Sequence, residues 1–465
     1  MTALERDDIQ GNVLRGYGFP FARYLFARVG ESDDAARAAR RWLAAQADPV
    51  TSDAEWGDRP RLAGNLALSF AGLRALRLPG WLLSSFPADF RDGMAARAGR
   101  IGDTGDAAPE RWEAGLRAGD IHVLVTLSGR DERAVGSAAA RVRADMARNG
   151  FAPGLEQPAA LLGSEREHFG FTDGFGQPAI AGVARHDVAG QGVPVRRRPW
   201  HRFRRDVVPS AADRRLAWRA LRPGEFVLGY EDEDRGKPPA PAPPLHRNGT
   251  FMVWRKLRQD VAGFRTWVTE AAGATGLAPD LVAAKVLGRW PDGSPLVLRP
   301  DAGDADLGAD RARVNDFGYA RDPDGFACPR GAHVRRANPR DALRAGGGRL
   351  TARHRILRRG MPYGAPLDPD APDDGADRGL VFVALQASIE RQFEIVQARW
   401  LNDGDAFGLG RTPDPVAGTV TCPARQAFGD RPPRYATALR SFVTPRGGEY
   451  LFVPGIAGLR ALATL

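Results

Sequence analysis

The sequence predicts an α+β protein built from two units, and three observations lead there. The chain has 465 residues, more than one hydrophobic core usually serves, so two domains are expected. Its first third alternates strand-like and helix-like stretches, and the second half repeats that rhythm. Between them, segment 236–245 (GKPPAPAPPL) is too proline-rich to enter a sheet, which marks a linker or domain edge. The expected units are 1–235 and 246–465.

Segment 21–29 (FARYLFARV) has the aromatic and β-branched character of a strand, and 33–46 sets alanines, Trp42 and Leu43 at helical spacing. Segment 65–70 reads as a strand running into a short helix that ends near Leu76. Segment 121–127 (IHVLVTL) is a buried strand, and 131–149 is an alanine-rich helix. Segment 226–230 (FVLGY) is expected as a short strand. After the proline-rich stretch come a strand at 250–257, helices near 259–272 and 278–287, and a core strand at 380–385. Ser388 caps a helix whose Ile389, Phe393, Val396 and Trp400 share one face. Segments 442–444 and 450–453 flank Pro-Arg-Gly-Gly, a hairpin turn signal. No sequence identity between the halves is visible, so duplication rests on pattern alone.

Hydrophobic residues at 43% and charged residues at 26% are ordinary for a soluble globular protein. No apolar run approaches the length that crosses a bilayer, so no membrane partner is expected. The start, MTALERDDIQGNVLRGY, has no cationic head before an apolar stretch, and a cytoplasmic location is expected. The net charge of +10 is carried almost wholly by arginine, with lysine only at 237, 256 and 285. That enrichment runs through the whole chain like a coding bias, so it does not mark a nucleic-acid partner. The one dense block, 196–205 (RRRPWHRFRR), is either a solvated loop or a rim that attracts anions. Two cysteines, Cys328 and Cys422, exclude a disulfide scaffold, a CxxC zinc site and a CxxCH covalent haem site.

Two stretches carry candidate chemistry. In 328–364, His333 sits between Gly-Ala and two arginines, and RILRRGMPYG follows, so a plausible metal or haem ligand precedes clustered cations. A lone histidine is more often a hydrogen-bonded structural residue than a ligand. In 168–180 (HFGFTDGFGQPAI), Asp173 lies between glycines that allow close backbone approach to a flat ligand. The same Asp-Gly also makes an ordinary turn.

Taken together, GFTDG, CPRGAHVRRANPRD, HRILRRGMPYG, IQGNVLRGY, NGTFMVWRKL, QASIERQFEIVQARWLND and FVTPRGGEYLFVP resemble the dye-decolorizing (DyP-type) haem peroxidases, in particular their longer bacterial subgroup. The order of GxxDG before GAHVRRANPRD and ILRRGxPYG makes that resemblance specific, and it spans almost the whole chain. It implies two ferredoxin-like α+β domains of the dimeric α+β barrel type and one non-covalent haem b per chain. Hydrogen peroxide would be the oxidant, with bulky aromatic dyes or phenols as reductants, and a homo-oligomer is compatible with it. Carried over by motif, His333 is the proximal iron ligand, Asp173 the distal acid–base group and Arg358 the distal cation. Neighbouring Arg353, Arg355 and Arg359 leave the choice of arginine open. Asp403 is the candidate carboxylate behind His333, and Arg335 or Arg336 the candidate propionate partner. The implied chemistry is a proton moved by Asp173 from the inner to the outer peroxide oxygen while Arg358 stabilises the departing charge, assistance commonly worth roughly 3 to 4 kcal/mol. A carboxylate base stays ionised in acid where an imidazole is protonated, so an acidic optimum is expected. Tyr363 and Trp400 lie nearest in sequence as relays to bulky dyes. The alternatives are a haem carrier or sensor and a deferrochelatase-like protein that removes iron from haem.

Overall fold

The computed structural model describes residues 3–163, 166–184, 189–195, 217–343, 348–421, 424–429 and 432–465; the arginine block 196–205 and Cys422 lie outside these. In chain order the strands are β1 (Phe21–Val29), β2 (Leu62–Ser69), β3 (Val123–Gly129), β4 (Phe151–Ala160), β5 (Val193–Val195), β6 (Ala217–Arg219), β7 (Thr250–Gln259), β8 (Leu357–Arg358), β9 (Met361–Tyr363), β10 (Gly379–Gln386), β11 (Ala424–Phe428), β12 (Arg434–Leu439) and β13 (Val443–Val453). Nine of them form one antiparallel sheet in the order β4-β1-β3-β2-β13-β7-β10-β8, with β9 also on β10.

Each half is a β-α-β-β-α-β unit whose strands take the spatial order 4-1-3-2, the ferredoxin-like arrangement expected. Helix Asp33–Ala45 joins β1 to β2 and Glu132–Arg148 joins β3 to β4. In the second half, Val261–Thr275 follows β7 and a helical segment near 390–401 precedes β13. The halves meet where β13 pairs with β2 at Leu451↔Ser69 and Phe452↔Leu68. At the far ends β4 and β9 lie against each other, so the sheet curls towards a barrel.

Alternation along the strands divides the core. Tyr24, Phe26, Met252, Trp254, Val383 and Leu385 fill the inner face, where the buried Trp254 ring meets the edges of Phe26 at 4.8 Å and Tyr24 at 5.9 Å. Leu25, Ala27, Phe251, Val253, Tyr450 and Phe452 pack outwards with the helices and with Phe86 and Phe90. On that outer face of β7 the pattern then changes, and Arg255, Leu257 and Gln259 line a cavity instead.

Three elements depart from expectation. Pro-Arg-Gly-Gly is no hairpin turn: β13 runs straight through it, with a bulge between Pro445 and Gly447. The extra residue reverses the alternation, so Val443 and Pro445 share the face of Tyr450 and Phe452. Gly447 is required there, because a Cβ would fall 2.3 Å from that of Leu116. Segment 226–230 is buried but irregular rather than a strand, and β4 was not foreseen in a stretch with two prolines. Proline is tolerated because β4 ends the hydrogen-bonded ladder. The proline-rich segment packs closely, with the Ala242 N–H donating to Ser85 Oγ at 2.8 Å and Leu245 in the core.

Candidate active site

His333 opens the short helix His333–Ala337, and its imidazole lines a cavity of about 310 Å³ between that helix and the outer face of β7 and β10. Its Nδ1 lies 3.1 and 3.2 Å from the two oxygens of Asp414. Asp414 is fully buried, and its Oδ1 also accepts the N–H groups of Val416 at 2.9 Å and Ala417 at 2.8 Å. A carboxylate so held keeps the proton on Nδ1 and leaves Nε2 as the nitrogen with a lone pair. Burial opposes charge on His333, but the Asp414 carboxylate outweighs it and the imidazole pKa is raised; Asp414 in turn lies below the ordinary carboxylate value, its own burial outweighed by His333.

Asp403, expected in this place, is elsewhere. It is 40% exposed, accepts the Asp405 N–H at 3.0 Å in a turn and faces Arg399 at 3.8 Å. The helix ends at Leu401, so Asp403 projects outwards, and the chain returns beneath His333 only at Pro413-Asp414-Pro415. The sequence signal that was missed is that aspartate clamped between two prolines and followed by free amides.

Arg335 and Arg336 also miss the cavity. Arg335 donates to Asp322 Oδ2 at 2.9 Å and to the Cys328 carbonyl at 2.6 Å. Arg336 donates to the carbonyls of Trp400, Thr412 and Leu401 at 2.6, 2.8 and 3.1 Å, which ties the loop carrying Asp414 to the helix carrying His333. The cations that do line the cavity are Arg289, Arg340, Arg355, Arg358 and Arg255, the last paired with Asp103 at 2.6 Å. The first three donate to backbone carbonyls or, for Arg289, also to Asn315 Oδ1, and form no ion pair with a described carboxylate. Burial and neighbouring guanidinium charge push Arg289 down to about 10 and Arg355 down to about 9. Several guanidinium groups repelling one another in a dry wall make a strong anion site.

Asp173 and Arg358 meet on the same cavity, as expected, with Arg358 Nη1 3.7 Å from Asp173 Oδ1. Asp173 Oδ1 also accepts the Gly174 N–H at 2.6 Å, so Oδ2 is the freer oxygen. Arg358 ends β8, where Gln177 brackets its backbone N–H and C=O at 3.1 Å each and its Nη2 donates to the Phe175 carbonyl at 2.7 Å. Leu380, Phe382, Phe393, Val396 and Leu401 give the wall an apolar stretch. The last three stand on the helix after β10, which Ser388 caps as expected but which is wound with i to i+5 bonds. Such widened turns often occur at functional sites. Tyr363 and Trp400 are 4% and 6% exposed, so neither offers a dye a surface contact.

Comparison with known proteins bears on this geometry. The model of the C-terminal part of Dyp-type peroxidases matches residues 299–420. A dye-decolorizing peroxidase of Mycena epipterygia is 30% identical over 504 aligned residues, spanning 99% of this chain and 87% of the relative. The chain belongs to the DyP-type peroxidase family. The multifunctional dye peroxidase DyP2 of an Amycolatopsis strain is 32% identical over 317 residues, 64% of this chain and 61% of that one. A dye-decolorizing peroxidase solved in complex with 2,6-dimethoxyphenol has a TM-score of 0.82 at 27% identity, covering 99% of this chain and 100% of its own. Most of these relatives are fungal, so the longer bacterial subgroup gains no support from them. DyP-type peroxidases are haem b enzymes that use hydrogen peroxide, and the DyP fold explains why one cavity draws Asp173 from the first half and His333 and Arg358 from the second. The cavity suits that cofactor: a half-buried imidazole presents one nitrogen to the cavity, and arginines paired with no described carboxylate stand ready for two propionates. No helix among the described residues is long and apolar enough to cross a membrane.

Proposed function

We propose that the chain oxidises bulky aromatic dyes and phenols with hydrogen peroxide, with Asp173 as the acid–base group, Arg358 as the cation that steadies developing charge, and His333 as the residue that would hold the haem iron. The observation that carries this reading is the convergence of these three side chains on one cavity. Haem b, when bound, supplies the iron that takes up peroxide and the electrons that reduce it. His333 would hold the iron through Nε2 while Asp414 fixes its ring and increases its donation. Arg340 and Arg355, with Arg289, would receive the propionates in place of Arg335 and Arg336. Asp173 Oδ2 takes the proton from the inner oxygen of peroxide and returns it to the outer one. Arg358 meets the negative charge that grows on the departing oxygen. Since a carboxylate serves as base in acid, we place the optimum below neutrality. A change of unit at 236–245, a cytoplasmic location and action without nucleic-acid or membrane partners belong to the same proposal.

The test is the rate at which peroxide changes the Soret band of haem-loaded protein. Asp173→Asn and Arg358→Leu are each expected to slow it by about 100-fold or more, the scale of a lost proton shuttle or charge stabiliser. Wild-type rates in both would refute the assignment. The deferrochelatase alternative has slighter support, since the likeness to the Yersinia pestis enzyme covers 30% of this chain.

A further inference from the structure

Asp173 stands in a loop rich in glycine. Gly170, Gly174 and Gly176 all take positive φ, at +93°, +91° and +69°. Such a loop needs pins from outside. On its C-terminal side Arg358, Arg355 and Gln177 supply them. On its N-terminal side the half-buried carboxylate at the cavity wall is Glu167.

Glu167 Oε2 accepts the Phe169 N–H at 3.0 Å, and Oε1 accepts the Phe171 N–H at 3.1 Å. Its main chain closes the same turn, with its N–H donating to the Phe171 carbonyl at 2.9 Å and its carbonyl accepting from Gly170 at 2.8 Å. The carboxylate is in turn anchored to the sheet, because Gln259 at the end of β7 donates Nε2 to Oε2 at 2.8 Å. One step further on, Thr172 Oγ1 donates to the Pro291 carbonyl at 3.0 Å, and Asp173 follows. No described cation pairs with Glu167. A carboxylate kept beside a cavity by three N–H donors and no guanidinium is an expensive way merely to fill space.

We propose that Glu167 is a positioning residue for the peroxide reaction: anchored by Gln259, its carboxylate templates the 167–173 turn and so sets where Asp173 meets peroxide beside Arg358. Burial raises its carboxyl pKa despite those three donors, and the Asp173 charge adds to the rise. Replacing Glu167 by Gln turns one acceptor into a donor that faces the Phe169 or Phe171 N–H. Gln259→Leu leaves the turn its carboxylate but frees that carboxylate from β7.

The inference rests on Asp173 being the distal base, so Asp173→Asn is the reference in its test. Haem-loaded wild type, Glu167→Gln, Gln259→Leu and Asp173→Asn are compared for the bimolecular rate with peroxide, cyanide affinity, haem content and thermal midpoint. Cyanide reports the distal base without turnover, since it arrives as HCN and must lose a proton. The expected result is a 10-fold or greater fall in peroxide rate and weaker cyanide binding in both new variants, with haem content and midpoint near wild type. Peroxide rates and cyanide affinities within 2-fold of wild type overturn the inference, as does a fall that merely tracks lost haem or lost stability. An unaffected Asp173→Asn would instead sink the assignment of the base itself.

Discussion

Replacing Asp414 by Asn probes the least expected part of the site. The two are nearly the same size, so the buried slot should stay filled, and one side-chain oxygen remains for the Val416 and Ala417 N–H groups. The other position becomes an NH₂ facing His333 Nδ1, now 3.1 to 3.2 Å from carboxylate oxygen. That NH₂ competes for Nδ1 with the remaining oxygen, now a neutral and weaker acceptor, so the ring is biased to the tautomer with its proton on Nε2, the nitrogen turned to the cavity. Losing such a partner behind a metal-bound histidine typically weakens binding 10- to 100-fold, or about 1.4 to 2.7 kcal/mol at 1.36 kcal/mol per factor of ten. Haem titration of the apoprotein, followed at the Soret band, measures it directly. The Fe(III)/Fe(II) potential should also rise, because a poorer donor favours the reduced metal. Haem affinity within 2-fold of wild type, with an unshifted potential, would refute the argument.

The same measurement on Asp403→Ala should show no change, since that side chain is exposed and its contact with Arg399 is the kind worth well under about 1 kcal/mol. The arginine cluster makes a second demand on the cofactor: protoporphyrin dimethyl ester, without propionate charges, should bind the apoprotein at least about 10-fold more weakly than the free acid, by tryptophan quenching. Equal affinities would show that Arg289, Arg340 and Arg355 do not receive the propionates. Acid stability follows from three histidines, since burial holds His122, His168 and His354 below the ordinary imidazole value. With their folded pKa lowered, the native state binds fewer protons than the unfolded chain below about pH 6.5, so this stability is present above that pH and is lost beneath it, by at most one proton per histidine. Urea titrations at pH 7 and 5.5 should show that loss. His122→Asn should reduce it, because His122 Nδ1 accepts the Val29 N–H at 3.0 Å and cannot carry a proton there; an identical loss in the variant would exclude His122 as a source.

Much of this site is legible where chemistry compresses into short motifs. GFTDG and HRILRR bring Asp173 and Arg358 to the cavity because each residue stands in a tight local frame, a glycine turn in one case and a strand end in the other. Asp414 was not legible, because its pairing with His333 crosses 81 positions and depends on where the helix before Asn402 stops. Arg335 and Arg336 were misread for a related reason: adjacency to His333 in sequence says little about which way a side chain leaves a five-residue helix. The strands with alternating apolar residues were apparent, whereas β4 and the bulge in β13 depend on edge position and on the fit of Gly447 against Leu116, neither of which local pattern encodes.

The pairing of β13 with β2 has a consequence for how the chain comes to exist. During synthesis β2 emerges more than 300 residues before β13, the strand that covers its free edge. Until then the first half exposes an open ladder to its neighbours, a hazard for association between nascent chains. The contacts that close the sheet span most of the sequence, a topology associated with slow folding. His333, Arg358 and Asp414 all follow Asp173 by 160 residues or more, so the haem slot is completed long after Asp173 has been translated. Haem supply should therefore govern yield only once Asp414 has emerged, and expression that outpaces haem synthesis should accumulate folded apoprotein that can be loaded afterwards.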